Sequence, residues 1–449
     1  MSFSPARSAD TVAARPAALV QLIDATIAGL VLLAVVAIFT ISSSLLTSWK
    51  IHYITSGGGF YEKLHPATYF MLAALLLLTI RNGDPVGDLG RMFSEARLLL
   101  FYLVCWAWLL VQMIATGQPF TVIIDTFLLP LLFCVVLWQL SRPQRKPTLW
   151  ALHLAIMTNI VVGYYEYFSG HRLIPLSLGD VVVLGEWRAS ALLGHPLTAS
   201  GVVAAYVIAL VFRPAICPPV ILRLVLIAFS LASLMAFGGR TSLVTVLLIL
   251  SSAATIRVFR ILRGERVSLL AVSAAICLLF VGAAAMFLAF DSGIFDKMLL
   301  RFSSDKGSAM ARYAAVNLLS HFDWHELLWG PDPTQAAALQ NAVGLKHGVE
   351  DFWISCIVQY GILSTIVLTL GLVGLFTEIL KHAAGAAWLI LLLVIIVAAS
   401  SVSFSSKNIQ LAQFAVLITL LLPRERAMAP VSRPRGQPRL ARPYAWGDA

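Results

Sequence analysis

Four stretches of the sequence place arginine, histidine, acidic or hydroxyl residues directly before a long apolar run: residues 188–198, 238–242, 347–351 and 405–408. An apolar run of about 20 residues predicts a membrane helix, and the first backbone N–H groups of a helix have no partner within it. Those groups, together with the positive end of the helix dipole, attract phosphate. The four stretches therefore predict a site for a phosphate-bearing anion.

Arg240 is the leading candidate for binding that anion. Small and hydroxyl residues flank it in the sequence: Gly238, Gly239, Thr241 and Ser242. The glycines let a phosphate approach the backbone, and either hydroxyl residue is suited to cap the helix. The arginine adds a planar, permanently charged group that fits bidentate phosphate contact. A capped helix with a snorkelling arginine explains the same residues, but Arg188 and Arg312 on the same predicted side of the membrane favour the anion site.

His347 and Glu350 are the candidates for a general base in such a site. A neutral imidazole can accept a proton from a sugar hydroxyl at neutral pH. Glu350, three residues on, reaches the ring if the stretch is helical. A surface histidine at the start of a helix is the other interpretation of His347. His195, Asp351 and Lys407 are further candidate site residues at these helix starts.

Asp323, His325 and Glu326 superficially resemble a metal cluster, but their spacing matches no familiar zinc or magnesium motif. The neighbouring Trp324 and Trp329 favour a segment that lies at the membrane surface or stacks on sugars. The sequence also contains no Walker or GxGxxG motif. We therefore predict no metal and no cofactor.

The elements that must position these residues are membrane helices. Of the 449 residues, 59% are hydrophobic and only 12% are charged, and the mean hydropathy is +0.87. Soluble domains carry roughly 25% charged residues, so this composition excludes a cytosolic enzyme, a disordered protein and a disulfide scaffold. The net charge of +10 is interpreted as a sign of membrane sidedness, and we predict no nucleic acid partner.

About twelve apolar runs are long enough to cross the bilayer, so the predicted fold class is all-α, a polytopic helical membrane protein. The runs centre near Leu32, Leu75, Cys105, Leu131, Ile156, Val203, Phe229, Leu248, Leu278, Ile366, Val394 and Val416. With the N-terminus in the cytoplasm, alternation puts about two thirds of the 32 lysines and arginines on the cytoplasmic side. Both termini are then cytoplasmic.

The predicted organisation has four parts. Residues 1–17 form a cytoplasmic N-terminal segment, residues 18–422 form the membrane domain, and residues 423–449 form a basic, disordered cytoplasmic tail. Within the membrane domain, residues 291–350 form a large outer loop before the tenth helix.

Apolar residues recur at helical spacing in that loop, in the groups Phe295, Met298, Leu299, Phe302 and Tyr313, Val316, Leu319. They predict two or three short amphipathic helices over the membrane surface, broken at Gly307 and after Trp329. Asp125 and Glu166 are acidic residues near the outer ends of their spans, and they are interpreted either as functional groups, such as a proton relay, or as residues expected to be exposed to water.

Four local patterns resemble the bacterial O-antigen ligase and polysaccharide polymerase superfamily. They are Arg188 with Gly194-His195-Pro196, the turn at Arg240, Ala311-Arg312-Tyr313 with Trp329-Gly330, and the polar cluster that ends in Tyr360-Gly361. The chain is also similar to this family in its number of spans and its large loop. It departs from the family at Glu350-Asp351, where ligase-type and polymerase-type members often carry a His-Asn pair. This departure favours a distinct polymerase branch.

The resemblance implies a glycosyltransferase of the bacterial inner membrane, acting on undecaprenyl-pyrophosphate-linked oligosaccharides at the periplasmic face without a metal. Arg240 and Arg312 would bind the pyrophosphate, with Arg188, Gly239 and Thr241 assisting. His347 or Glu350 would remove the acceptor proton. Membrane lipids, a chain-length regulator and a flippase are the implied partners.

Two alternatives stay open at the level of sequence. A ligase would transfer finished glycan to lipid A core or to another acceptor. A polysaccharide transporter or flippase would carry polar residues along the middle of several spans and helices broken near the membrane midplane.

Overall fold

The structure is a computed structural model. It describes residues 16–178, 181–183, 187–212, 218–264, 308–345, 348–400 and 406–424, together with the single residues 273, 291 and 296. The described residues are predominantly helical and include long apolar helices, which confirms an all-α membrane protein.

The helices are, in chain order, α1 (Ala17–Thr40), α2 (Ser43–Ser48), α3 (Pro66–Ile80), α4 (Pro85–Glu95), α5 (Arg97–Ala115), α6 (Thr121–Gln139), α7 (Arg142–Ser169), α8 (Pro196–Phe212), α9 (Val220–Phe237), α10 (Arg240–Leu262), α11 (Ser308–Leu319), α12 (Trp324–Trp329), α13 (Pro333–Ala342), α14 (Phe352–His382), α15 (Ala387–Ala398) and α16 (Gln410–Leu421). A two-residue hairpin, β1 (Ser177–Leu178) with β2 (Val181–Val182), follows α7.

Six helices of the described chain are long and apolar enough to cross a membrane: α1, α5, α6, α7, α10 and α14. Five further apolar helices are shorter, namely α3, α8, α9, α15 and α16. Each of these eleven helices contains the centre of one predicted run. The remaining predicted run, centred near Leu278, lies outside the described residues, as do residues 1–15 and 425–449 of the predicted terminal segments.

Two of the long helices are irregular. α6 contains a π-helical turn at Ile124–Leu128, an irregularity that often marks a functional part of a helix. α14 is broken at Gly361, whose φ of 80° and ψ of 165° are not helical. Both irregular positions lie in the half of the bundle that holds the sequence-predicted site.

The core is built around α8. Every residue from Ala199 to Leu210 is buried, because α9, α10, α15 and α16 all pack against this helix. Its residues are mostly alanine, valine, serine and glycine, and such small side chains let helix backbones approach closely in a membrane.

Three short helices occupy the predicted outer loop. α11 begins directly after Gly307 and α12 ends at Trp329, at the predicted breaks. Their buried side chains form a second small core against the first turns of α14, with Leu318, Phe322 and Val358 at its centre. Tyr313 and Val316, part of the predicted apolar stripe, face outward. The other predicted stripe, at residues 295–302, lies outside the described chain.

Asp125 and Glu166 differ from the sequence expectation. Both were expected to be exposed to water, yet Asp125 is fully buried and Glu166 is 3% exposed. The reason is that the segments between helices fold back over the helix ends and donate hydrogen bonds to both carboxylates. Hydropathy places a residue along a span but does not tell whether chain from elsewhere covers it.

Candidate functional site

The starts of four helices, α8, α10, α14 and α16, meet at one end of the bundle. α8 and α10 are joined by the hydroxyls of Ser200 and Ser242, 3.2 Å apart. α16 and α14 both reach the π-helical turn of α6. The Asn408 N–H just before α16 donates to Thr126 Oγ1 at 3.2 Å, and the rings of Phe127 and Phe352 lie 6.5 Å apart. The starts of α8 and α10 are therefore neighbours, and the starts of α14 and α16 both lie against the same turn of α6.

Gly239 is required where α10 meets α8. A β-carbon on Gly239 would overlap Ser200 Oγ and lie 2.5 Å from Ser200 Cβ. The sequence suggested that Thr241 or Ser242 caps α10, and this prediction is wrong. Gly239 is the N-cap residue and makes no side-chain cap bond, while the Ser242 hydroxyl pairs with Ser200 instead. The first turn of α10 therefore has no side-chain cap of its own, and the Ser200 hydroxyl of α8 lies beside it.

Arg188 lies against the same turn. Gly238 has a φ of 64°, and a β-carbon there would meet Arg188 Cγ at 2.7 Å. The Ala189 N–H also donates to Ala236 O at 3.0 Å, which pins the loop to the end of α9. Arg188 and Arg240 therefore flank one two-glycine turn, and Arg240 is half-buried as the first residue of α10.

Two polar residues of α7 hold the Arg188 loop from within the bundle. Glu166 Oε2 accepts the N–H groups of Ser190 and Ala191, both at 2.9 Å. Asn159 Oδ1 accepts the Leu192 N–H at 3.1 Å. Asn159 was not among the site residues predicted from the sequence. The available signal was its spacing, because Asn159 and Glu166 are seven residues apart and so share one face of α7.

Asp125 anchors a second segment at this end. Its carboxylate accepts the Tyr53 hydroxyl at 2.9 Å, the His65 N–H at 3.1 Å and the Thr68 hydroxyl at 2.5 Å. A buried carboxylate needs such donors, because a buried charge without partners is strongly unfavourable.

Lys407 belongs to this Asp125 network rather than to an open site. Its ammonium donates to Tyr53 O at 3.0 Å and to Lys63 O, and it lies 4.1 Å from the centre of the Tyr53 ring. Burial lowers the pKa of Lys407 to about 8, although the Asp125 carboxylate acts to raise it. Lys407 therefore joins the segment before α16 to the segment before α3.

Two of the resemblance motifs meet each other. Gly330, after α12, has a φ of 100°, and a β-carbon there would lie 3.1 Å from the Tyr360 carbonyl carbon. Gln112 of α5 bridges the pair, because its Nε2 donates to Trp329 O at 2.8 Å and to Tyr360 O at 2.6 Å. The short loop helices are thereby attached to the break in α14.

The other predicted site residues have mixed placements. His347 lies outside the described residues, so its role stays a prediction. Asp351 is the N-cap of α14 and accepts the Ile354 N–H at 2.9 Å. His195 caps α8 through its Nδ1, which accepts the Leu197 N–H at 3.2 Å. Glu350 is partly exposed, one residue before that N-cap.

Arg312 is an exposed residue of α11. The buried side of that helix packs against α14 in the second small core, so its guanidinium is not fixed by the packing that holds the Arg188 loop. Its predicted contact with the same anion as Arg240 stays a prediction.

The acidic residues around Trp324 have a structural explanation. Asp323 and Glu326 form a capping box at the start of α12, in which the Asp323 N–H donates to Glu326 Oε2 at 3.0 Å. In the described part of the chain, no three His, Cys, Asp or Glu side chains gather closely enough to hold a metal ion.

The arrangement can bind an anion through the positive charge of its arginines and through the backbone N–H groups at the helix starts. Each helix start contributes roughly half a positive charge, and α8, α10, α14 and α16 all begin at this end of the bundle. Arg188 and Arg240 add two guanidinium groups at one turn. Gln410, in the first turn of α16, is fully buried beside Gly201, and its amide atoms find no hydrogen-bond partner among the described residues. This end of the bundle thus combines a positive electrostatic potential with a buried amide, that of Gln410, which has no hydrogen-bond partner among the described residues.

Comparison with protein-family models gives no match for this chain, and a search of curated proteins gives none either.

Proposed function

We propose that the chain is a polymerase of lipid-linked oligosaccharide repeat units, acting by metal-independent, inverting glycosyl transfer. The observation that carries the proposal is the Gly238-Gly239 turn, which has Arg188 and Arg240 on either side and which leads into α10 where that helix begins against Ser200 of α8. The order of the motifs, which resembles the O-antigen ligase and polysaccharide polymerase superfamily, supports the same assignment.

The proposed topology has twelve spans with both termini in the cytoplasm of a bacterium and the protein in its inner membrane. In this topology the eleven apolar helices of the described chain are eleven of the spans, and the ninth is the predicted run centred near Leu278, which lies outside the described residues. The short helices α11 to α13 then belong to a periplasmic loop, and the site faces the periplasm.

The proposed reaction joins two lipid-linked sugars. A hydroxyl of one sugar attacks the anomeric carbon of another, the glycosidic bond forms with inversion, and the bond to the undecaprenyl pyrophosphate breaks. The hydroxyl proton passes to His347 or Glu350, and the negative charge remains on the leaving pyrophosphate.

Arg240 and Arg188 have a specific role in this step. Charge grows on the leaving pyrophosphate as the bond breaks, so fixed guanidinium and amide donors stabilise the transition state more than the ground state. Glu166 and Asn159 hold the Arg188 loop in advance of the reaction, which avoids reorganisation during it. Arg312, exposed on α11, would contact the same pyrophosphate.

A purified-protein assay tests the proposal. Full-length chain is incubated with an undecaprenyl-pyrophosphate-linked repeat unit as the only substrate, and the products are separated by length. The expected result is a ladder of longer lipid-linked glycans, lost in Arg240→Gln and unchanged in Arg260→Gln, an exposed arginine in the last turn of α10. A ladder of normal length from Arg240→Gln would overturn the assignment of the site.

One observation favours a transporter of the same substrate. α14 is broken at Gly361, and broken helices are typical of transporter binding sites. The same protein reconstituted in vesicles separates the two functions. Movement of the lipid-linked unit across the bilayer without any glycosidic bond formation would replace the polymerase by a transporter, and transfer only to an added acceptor would indicate a ligase.

A further inference from the structure

The opposite end of the bundle contains a cavity of about 90 Å³. It lies where α4, α6, α14 and α16 end and α7 begins. One water molecule needs roughly 10–15 Å³ of such space, so the cavity is large enough for a small polar group. The arginine distribution predicts that this end faces the cytoplasm.

The charge of the cavity lining is mainly positive. Arg145, Arg424 and His382 line it, and the acidic residue of the lining is Glu95. Two permanently charged guanidinium groups against one carboxylate leave a positive balance at any protonation state of the histidine. An anion is therefore the class of ligand that the lining favours.

Arg145 is built into the wall. The residue is only 6% exposed. Its Nε donates to Leu140 O at 2.9 Å, and its Nη2 donates to Trp138 O at 3.1 Å. A guanidinium has five N–H donors in a fixed plane, so these two bonds orient the group and leave further donors for the cavity. They also satisfy carbonyls at the end of α6 that would otherwise repel an anion.

Thr419 supplies an independent indication of a ligand. It is 5% exposed and lines the cavity, and its hydroxyl has no hydrogen-bond partner among the described residues. A buried hydroxyl without a partner is unfavourable in proteins, and such groups are normally satisfied by water or a bound molecule. The Thr419 hydroxyl is thus an unpaired polar group in the wall of the cavity.

A backbone bridge holds the part of the cavity wall that contains His382 and Arg424. Ala383 and Pro423 form an isolated antiparallel pair, and the Arg424 N–H donates to His382 O at 2.9 Å. The His382 ring stacks on Trp138 with ring centres 4.0 Å apart. Arg424 and His382 are therefore positioned by the fold.

We propose that this cavity binds a phosphate-bearing group. A phosphate offers several acceptor oxygens, which suit the in-plane donors of Arg145, the Arg424 guanidinium and the Thr419 hydroxyl together. Two sources share this chemistry, the headgroup of an anionic lipid in the adjacent leaflet and a free phosphate. The site lies at the end of the bundle away from Arg240 and is independent of the proposed transfer reaction.

Direct binding measurements distinguish the sources. The full-length chain is purified in a non-ionic detergent and dialysed to equilibrium against radiolabelled dihexanoyl phosphatidic acid or, separately, against inorganic phosphate. We expect saturable binding at one site per chain for at least one probe. Saturation by the lipid without competition from inorganic phosphate identifies a lipid headgroup, and effective competition identifies a free phosphate.

Three variants complete the test. Arg424→Gln removes one charge while its backbone bridge stays, and it should weaken binding about tenfold or more. Thr419→Val removes only the hydroxyl at nearly constant volume and should weaken binding severalfold. Arg260→Gln, an exposed arginine outside the cavity, should bind as the unmodified chain does. Absence of saturable binding for both probes would overturn the proposal. So would an affinity in Arg424→Gln and Thr419→Val that equals the affinity of the unmodified chain.

Discussion

The backbones of Gly330 and Gly361 lie in direct contact. A β-carbon on Gly361 would overlap the Gly330 nitrogen and lie 2.6 Å from Leu328 O. Two motifs that are 31 residues apart in the chain, Trp329-Gly330 and Tyr360-Gly361, thus form one junction between the loop helices and α14.

Replacing Gly361 by alanine should break this junction. The residue holds a φ of 80° and a ψ of 165°, a conformation essentially restricted to glycine that is unfavourable by about 1–3 kcal/mol for other residues, and the new methyl group meets rigid backbone. We expect a lower thermal unfolding midpoint in detergent and faster proteolysis of residues 320–345. Gly29→Ala in α1, where a β-carbon meets nothing within 4 Å, is the control. Equal proteolysis in both variants would show that the contact does not hold the loop.

Gly239 and Ser200 should be energetically coupled. Gly239→Ala places a methyl group on the Ser200 side chain and should destabilise the protein by about 1–3 kcal/mol. Ser200→Gly opens the space, so the double variant should be more stable than the sum of the two single changes predicts. Gly90→Ala, at an open position of α4, should show no coupling to Ser200→Gly. Strict additivity of Gly239→Ala and Ser200→Gly would contradict the close approach of α10 to α8.

Glu166 should stabilise the Arg188 loop. The Glu166 carboxylate accepts the N–H groups of Leu173, Ser190 and Ala191. In Glu166→Gln the charge is lost and the new amide group faces a backbone donor, so we expect a loss of about 2 kcal/mol from these charge-assisted bonds. The measurement is the unfolding midpoint together with hydrogen exchange at Ser190 and Ala191. Glu62→Gln is a matched control, because Glu62 also accepts a backbone N–H, from His52, but at an exposed position. Unchanged exchange at Ser190 in Glu166→Gln would remove this residue from its assigned role.

Lys407 should give stability a specific pH dependence. Its pKa is lowered by burial to about 8 in the folded protein, against about 10.4 in an unfolded chain. Between these values the unfolded state binds more protons, so this group makes the folded state more stable as the pH rises from 8 to about 10.4. Below pH 8 the unfavourable burial of the ammonium is fully present.

The comparison with Lys407→Met isolates this effect. The difference between the unfolding midpoints of the unmodified chain and Lys407→Met should increase from pH 8 to pH 10 in favour of the unmodified chain. Lys146→Met, at an exposed position in the first turn of α7, should leave the pH slope unchanged. Parallel pH curves for the unmodified chain and Lys407→Met would show that Lys407 is not held as described.

Hydropathy was sufficient to locate the apolar helices, because a membrane helix must bury its own backbone bonds and therefore needs a continuous apolar run. The same reasoning could not find the partners of Asp125, which come from residues 53, 65 and 68 in other parts of the chain. Such contacts depend on how the segments between helices fold back.

The sequence located the starts of α8, α10, α14 and α16 but assigned some of their side chains wrongly. It placed Arg188 and Arg240 together, which the Gly238 contact supports. It did not predict that Ser242 would pair with Ser200, because the cap preference of a hydroxyl residue is local while its partner comes from α8. The role of Lys407 as a tie between two segments was missed for the same reason.

The enclosure of α8 has a consequence for how the protein is made. A newly inserted span first meets lipid, and α8 exchanges lipid for protein on every side only when its neighbours arrive. The last of these to be synthesised is α16, the C-terminal helix of the described chain, whose Gln410 rests on Gly201 of α8. Until that helix docks, the small residues of α8 that it covers remain exposed to lipid, and membrane quality control can recognise such an incomplete bundle. A chain truncated before residue 410 should therefore be degraded and should not accumulate.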